Sequence, residues 1–220
     1  MKHICQSLWG IIMLLAITAC STNNQSGKLL LGEDFDLAIY QEGSWEILED
    51  VLVAHEDQVL WATGEFENFE LSFEFKNEAG TNSGIIVYCT NQENWIPNSV
   101  EIQIADDHSE QWGDARKDYQ CGAIFGHLPA TEQKVVHPPG EWNQMTISCQ
   151  GQLIKVELNG KQVNSMDMAE WTSGTTNPDG SEIPSWLPTP FAELPTKGFI
   201  GFQGKHGDSS ISFRNIRIHM

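Results

Sequence analysis

Along most of this chain apolar and polar residues alternate with a period of two, in short runs separated by Gly, Asn, Asp and Pro. The cleanest run is NFELSFEFK at 68–76, where Phe69, Leu71, Phe73 and Phe75 share one face and Glu70, Ser72, Glu74 and Lys76 the other. Successive side chains on a strand point to opposite faces, so such a run predicts a half-buried strand. SGIIVYCT (83–90), SVEIQIA (99–105), CGAIFG (121–126), WNQMTISC (142–149) and QLIKVELN (152–159) read the same way. WEILEDVLVA (45–54) and QVLWAT (58–63) together predict one hairpin, and Asn159-Gly160 predicts a tight hairpin turn. GFIGFQG (198–204) and SSISFRNIRI (209–218) predict two closing strands joined by a polar turn. No segment carries a long helical apolar period. Many short strands without β-α-β alternation predict an all-β sandwich of two antiparallel sheets, a jelly roll, in which one sheet bends into a ligand groove. The stretch 165–197 is rich in Pro, Gly, Ser and Trp and has no strand pattern. Trp171, Trp186 and Phe191 predict that it packs down and covers one end of the groove.

The first residues belong to a different regime. Lys2 precedes an apolar run at 8–19 that is too short to span a bilayer as a helix. Ile17-Thr18-Ala19-Cys20 fits the bacterial lipobox. The expectation is a signal peptide over 1–19, lipidation of Cys20, a polar tether over 20–29 and a jelly-roll domain over 30–219. That makes the protein a cell-envelope lipoprotein, periplasmic or on the outer membrane, touching the membrane through its lipid alone. Ser21, where an aspartate often retains lipoproteins at the inner membrane, favours the outer one.

Composition narrows the partners. Thirty Asp and Glu against twelve Lys and Arg give a formal charge of −18, which argues against nucleic acid and against anionic polysaccharides. Neutral sugars, bound by hydrogen bonds and stacking, stay open. No G-x-G-x-x-G or P-loop is present, so no nucleotide cofactor is expected. Of five cysteines, Cys5 lies in the signal and Cys20 carries the lipid. Cys89, Cys121 and Cys149 have no zinc-site spacing; one disulfide among them is compatible with export, and the pair is left open.

Glu101 and Gln103 stand two apart on one predicted strand, so they share a face, with Ile102 and Ile104 on the other. A catalytic pair on a groove and a plain solvated face both fit that pattern. Asp106 joins the pair only through a bulge or at the strand end. His206 lies between Gly204 and Gly207 after a strand, where an imidazole could move protons or simply sit exposed in a turn. Asn82 and Ser83 could bind sugar hydroxyls or make a turn. Lys76, His127, Gln203 and Lys205 complete the polar candidates. Trp45, Trp61 and Trp142 read as core; Trp95, Trp112, Trp171 and Trp186 lie in loops, where an indole can stack on a sugar or anchor its loop. A Ca2+ ion bridging loops is compatible with this fold class, with Asp106, Asp107 and His108 as candidate ligands, although three adjacent residues do not all reach one ion.

NSGIIVY (82–88), VEIQIAD (100–106), CGAIFG (121–126), HPPGEWNQMTI (137–147), IKVELNGKQV (154–163) and LPTKGFIGFQGKHGDSSISFRNIRI (194–218) occur in one order. In this the chain resembles the 3-keto-disaccharide hydrolase family, which has a concanavalin A-like jelly-roll fold, over about residues 30–219. The family ending Gln-Asp-His-Gly is one residue longer here, as Gln203-Gly204-Lys205-His206-Gly207. The resemblance implies cleavage of 3-keto-glucosides or 3-keto-disaccharides by C2 proton abstraction, 1,2-elimination and hydration, as a hydrolase or the corresponding lyase. It implies Glu101 and His206 as catalytic groups, with Gln103, Asp106, Lys76, Asn82, Ser83, His127, Gln203 and Lys205 around the substrate. It also implies functional coupling to a sugar 3-oxidoreductase. Two rivals remain. A retaining glucanase on this fold carries E-x-D-x-E or E-x-D-x-x-E, whereas Glu101-Ile102-Gln103-Ile104-Ala105-Asp106 has an amide at the centre and a shorter acid at the end. A non-catalytic carbohydrate-binding lipoprotein would keep only stacking residues in an open groove.

Overall fold

The computed structural model describes residues 27–220; the predicted leader, Cys20 and most of the tether lie outside them. The chain runs β1 (Lys28–Leu29), β2 (Ala38–Ile39), β3 (Trp45–Leu48), β4 (Val51–Ala54), β5 (Leu60–Ala62), β6 (Phe69–Asn77) and β7 (Asn82–Cys89). It continues through β8 (Val100–Ala105), β9 (Asn143–Gln150), β10 (Leu153–Leu158), β11 (Lys161–Asp167), β12 (Phe199–Phe202) and β13 (Ile211–His219). The larger sheet orders its strands β11-β10-β9-β6-β13-β4-β3, with β1 also on β13; the smaller is β2-β5-β12-β7-β8. Every strand pairing is antiparallel. The protein is the two-sheet jelly-roll sandwich its alternation predicts.

The core lies between the sheets. Phe69, Leu71, Phe73 and Phe75 of β6 are all buried, as their shared face requires. From the smaller sheet Ile85, Val87, Ile102, Ile104, Ile200 and Phe202 meet them. Phe202 packs edge-on against Phe73 and Phe213 at 6.0 and 5.2 Å, which ties the two layers together. Burying an aromatic side chain is worth roughly 1.5–3 kcal/mol, so these rings help to hold the two sheets together. Asn159 and Gly160 take φ of 50° and 77°, the paired positive values of a two-residue hairpin turn between β10 and β11.

Several local readings change. The hairpin at 45–63 is really 45–54 alone, because β3 pairs β4 around Glu49, while β5 crosses into the other sheet. β12 and β13 are not neighbours; they belong to opposite sheets, and the loop between them bridges the layers. CGAIFG makes only isolated bridges, Ile102 to Ile124 and Ile124 to Leu128, beside the edge strand β8. Its two glycines at positive φ, Gly122 and Gly126, break the extended path. Cys89, Cys121 and Cys149 are all free and buried. Trp142 is not core: it stands on the outer face of the larger sheet, with the Arg214 guanidinium 3.9 Å and Lys76 Nζ 5.0 Å from its ring centre.

Candidate active site

The outer face of the smaller sheet floors a groove of about 650 Å³, within the usual size of a ligand site. Alternation on β8 decides what faces it: Ile102 and Ile104 enter the core, so Glu101 and Gln103 turn outward. β7 lies alongside, with Gly84 opposite Gln103 and Ile86 opposite Glu101. Gly84 is what makes room for the acid. A Cβ at this position would meet Glu101 Oε1 at 2.5 Å and its Cγ at 2.9 Å. Among the described residues no donor bonds the Glu101 carboxyl, and burial pushes it from its ordinary 4.5 up to about 8.

Amide side chains line the groove together with this carboxyl. Gln103 Nε2 donates to Asn82 Oδ1 at 2.9 Å, which fixes the Gln103 side chain and leaves its Oε1 buried without a partner. Gln203 extends β12 along β7, its backbone N–H donating to Gly84 O at 2.9 Å, and its own Oε1 is likewise unpartnered. Gln103 and Gln203 are only 1% and 8% exposed. A buried amide oxygen without a bond costs about 1–3 kcal/mol.

One wall is the loop after β12. His206 N–H donates to Asn82 O at 3.2 Å and Lys205 N–H to Glu56 O at 3.0 Å, docking the loop on β7 and on the turn before β5. That turn supplies Asp57, whose Oδ2 lies 2.8 Å from His206 Nδ1. The bond orients the ring and leaves Nε2 as its free proton carrier. The groove is also lined by the aromatic and apolar side chains of Trp61, Trp95, Ile96, Phe125 and Trp186. Trp61 lies over Gly201, where a Cβ would come within 2.7 Å of its ring. Trp186 comes from the 165–197 stretch, 54% exposed at the rim. Trp171 anchors that stretch, buried and donating from Nε1 to Asn177 Oδ1 at 2.9 Å.

Glu101, Gln103, Asn82, Gln203 and His206 thus line one groove. The other five candidates do not. Ser83 is the odd residue of β7, faces inward, and donates to Gln203 O at 2.7 Å. Asp106 follows the end of β8, buried, and accepts from Gly80 N at 2.9 Å and His108 N at 3.1 Å as a turn-forming acid. Lys76 lies on the outer face of the other sheet. His127 is buried and stacked on Phe191 at 3.9 Å, and its Nδ1 is 2.8 Å from Phe125 O. Burial pushes its imidazole down to about 4, so it stays neutral. The Lys205 side chain lies outside the groove lining. The candidate calcium ligands also part ways: Asp107 Oδ1 accepts from Cys121 N at 3.0 Å, and His108 Nε2 lies 2.9 Å from Val136 O. These residues do not fit one ion.

Alternation alone missed Asp57, Gly84 and Trp61 as parts of the groove. Asp57 sits in HEDQ (55–58), which reads as any polar turn. Trp61 is 8% exposed, so its assignment to the interior was sound by burial, yet it packs with Ile86 and Cys89 on the groove side. Gly84 did carry a signal, since a glycine inside a strand marks a close approach.

The model of a family described as the 3-keto-alpha-glucoside-1,2-lyase-like domain matches residues 27–219. A solved protein of Parabacteroides distasonis, named as a candidate glycosyl hydrolase, is 60% identical; the match covers 88% of this chain and 98% of that one with a TM-score of 0.87. A second candidate glycosyl hydrolase from the same organism is 22% identical, covering 84% and 88% with a TM-score of 0.65. A carbohydrate-binding module of Bacillus subtilis shares the fold at 11% identity, covering 84% and 96% with a TM-score of 0.53. No curated protein matches the chain.

Proposed function

We propose a reaction for this chain, which belongs to the 3-keto-α-glucoside-1,2-lyase-like family: eliminative cleavage of the glycosidic bond of a 3-keto-glucoside or 3-keto-disaccharide. A ketone at C3 acidifies the C2 hydrogen. The Glu101 carboxylate takes that proton, the C1–O bond breaks as C1=C2 forms, and the departing oxygen receives a proton from His206. The product is an unsaturated 3-keto sugar plus a free hydroxyl compound. In the hydrating mode the proton on Glu101 exchanges with solvent, water adds at C1 and gives its proton to His206, and Glu101 delivers a solvent-derived proton to C2. Both groups are reset and the sum is hydrolysis. Gln103, Asn82 and Gln203 hold the sugar hydroxyls and ring, and the indoles of Trp61 and Trp95 supply apolar contact.

The observation that carries this reading is the carboxyl of Glu101, pushed up to about 8 and seated over Gly84 in a groove that also holds an imidazole and unpaired amides. A base of that strength suits abstraction from carbon near neutral pH. The test is cleavage of a 3-keto-glucoside deuterated at C2. We expect the keto-sugar to be cleaved with loss of deuterium to water and the unoxidised parent to survive. Glu101→Gln should lower cleavage and exchange together, by about a hundredfold or more. Complete retention of the C2 label would defeat elimination. Binding without cleavage would favour a carbohydrate-binding role, and cleavage of the unoxidised sugar a conventional glycosidase.

Around this reaction we place the chain in the envelope, tethered through a lipid on Cys20 and receiving its substrate from a sugar 3-oxidoreductase. Cys20→Ser should move the protein from the membrane to the soluble fraction; persistence in the membrane at wild-type level would refute the anchor.

A further inference from the structure

The groove does not end at His206. On the far side of that residue lies a second chamber of about 420 Å³, lined by Gly80, Asn82, Gln111, Trp112, Gly207, Asp208 and Ser209 as well as His206. Asn82 and His206 therefore line both spaces. The backbone bond from His206 N to Asn82 O makes these two residues the partition. The chamber is built rather than incidental. Trp112 is held by its Nε1, which donates to Gly80 O at 3.0 Å, and by its place in a short helix (Glu110–Gly113) capped by Ser109. Gly80 takes φ of +83°, and a Cβ there would approach Ser209 Oγ at 3.3 Å. Ser209 Oγ in turn donates to Ala79 O. The chamber wall is thus one indole, an exposed amide from Gln111 and one carboxylate from Asp208, with no lysine or arginine among its lining residues.

On the proposed reaction, the imidazole that protonates the leaving oxygen has to stand between the two halves of the substrate. His206 occupies such a boundary. We propose that the chamber walled by Trp112, Gln111 and Asp208 is the leaving-group subsite, and that it takes an uncharged, ring-shaped polyhydroxyl group, a second sugar, rather than a small alkyl or an anionic aglycone. An indole supplies a flat apolar face for a sugar ring, and the Gln111 amide supplies hydroxyl contacts. Asp208 adds acceptors for hydroxyls and repels carboxylate or phosphate, in a protein whose formal charge is already −18. Trp112 is then a specificity residue and not a catalytic one.

The inference rests on the elimination reading, so its test has one arm that needs no turnover. In the first arm kcat/KM is measured for a 3-keto-disaccharide and for methyl 3-keto-glucoside. Trp112→Ala should lower the ratio of the two by about tenfold or more. Gln111→Ala, at an exposed position, should lower it by about threefold, which keeps the arm decisive if the tryptophan variant folds poorly. An unchanged ratio in Gln111→Ala, or in Trp112→Ala where that variant folds, would overturn the assignment. In the second arm free D-glucose is titrated into the wild-type protein while the indole N–H resonances are followed by NMR. The Trp112 signal, identified by its absence in Trp112→Phe, should shift. Movement confined to the signals of Trp95 and Trp186, or no movement at all, would overturn the subsite. Failure of every keto-glycoside to react would sink the reaction while the glucose titration still decides the chamber.

Discussion

The two outer faces of the sandwich carry similar residues and treat them in opposite ways. On the outer face of the larger sheet the charged groups at the β6–β13 centre are partnered: Arg214 Nε bonds Glu74 Oε2 at 2.6 Å, and Arg214 and Lys76 both stand over the Trp142 ring. On the smaller sheet Glu101 has no bonded donor among the described residues, and the amide oxygens of Gln103 and Gln203 are buried without partners. An ion pair on an open surface is worth about 0–1 kcal/mol and asks nothing more of its neighbours. An unpaired buried polar atom costs free energy and persists where something else completes it. The place to look for chemistry is therefore the face that leaves its polar groups unsatisfied, not the face with more charge.

The sharpest way to break this comparison is to exchange the acids. Glu101→Gln should cut turnover of a 3-keto-glucoside by about a hundredfold or more, whereas Glu74→Gln should leave kcat/KM within about twofold of wild type. Equal losses from both would erase the distinction between the faces. Gly84→Ala comes next. Its Cβ cannot coexist with the present position of the Glu101 carboxyl, which is the movable end of a flexible chain. The protein should stay folded with turnover reduced by about tenfold or more, because an ångström of misplacement at a reacting group is expensive. Full activity in this variant would separate catalysis from the carboxylate position.

The pH dependence of stability sharpens the same point. Glu101 titrates at about 8 in the folded protein against an ordinary 4.5. Between those values the folded state holds a proton that the unfolded chain has released, so this group makes stability fall as pH rises from about 4.5 to 8. Above that window the cost is fully present; below it, absent. Glu101→Gln removes the titration. It should lessen the stability lost between pH 5 and pH 9 by on the order of 1–3 kcal/mol, discounted because the side chain is partly open to the groove. Denaturant melts of both proteins at the two pH values would measure it. For kcat/KM, the limb that rises with pH toward about 8 should belong to Glu101. The smallest effect is expected on the outer face of the larger sheet, where Arg214→Ala should cost about 1 kcal/mol or less and leave turnover alone.

Much of the architecture was legible before any coordinates. Alternation in 68–76 and 99–105 specifies which residues enter the core, and a period of two leaves no other face for Glu101 and Gln103 once Ile102 and Ile104 are buried. The same local rule also determined the Asn159-Gly160 turn, because only its own backbone has to accept positive φ. What lay beyond the sequence was every pairing of distant segments. Lys76 and Glu101 are both polar residues of alternating strands, and only the sheet order puts one outside the larger sheet and the other on the groove floor. His127 and His206 both follow apolar runs, yet packing against Phe191 closes off the first while Asp57, 149 residues earlier, orients the second. Facing direction is a property of a strand by itself. Which strand lies beside it, and whether a ring ends in solvent or under a neighbour, is decided by contacts between residues far apart in the chain, and the free energy of those contacts exists only when both sheets are assembled.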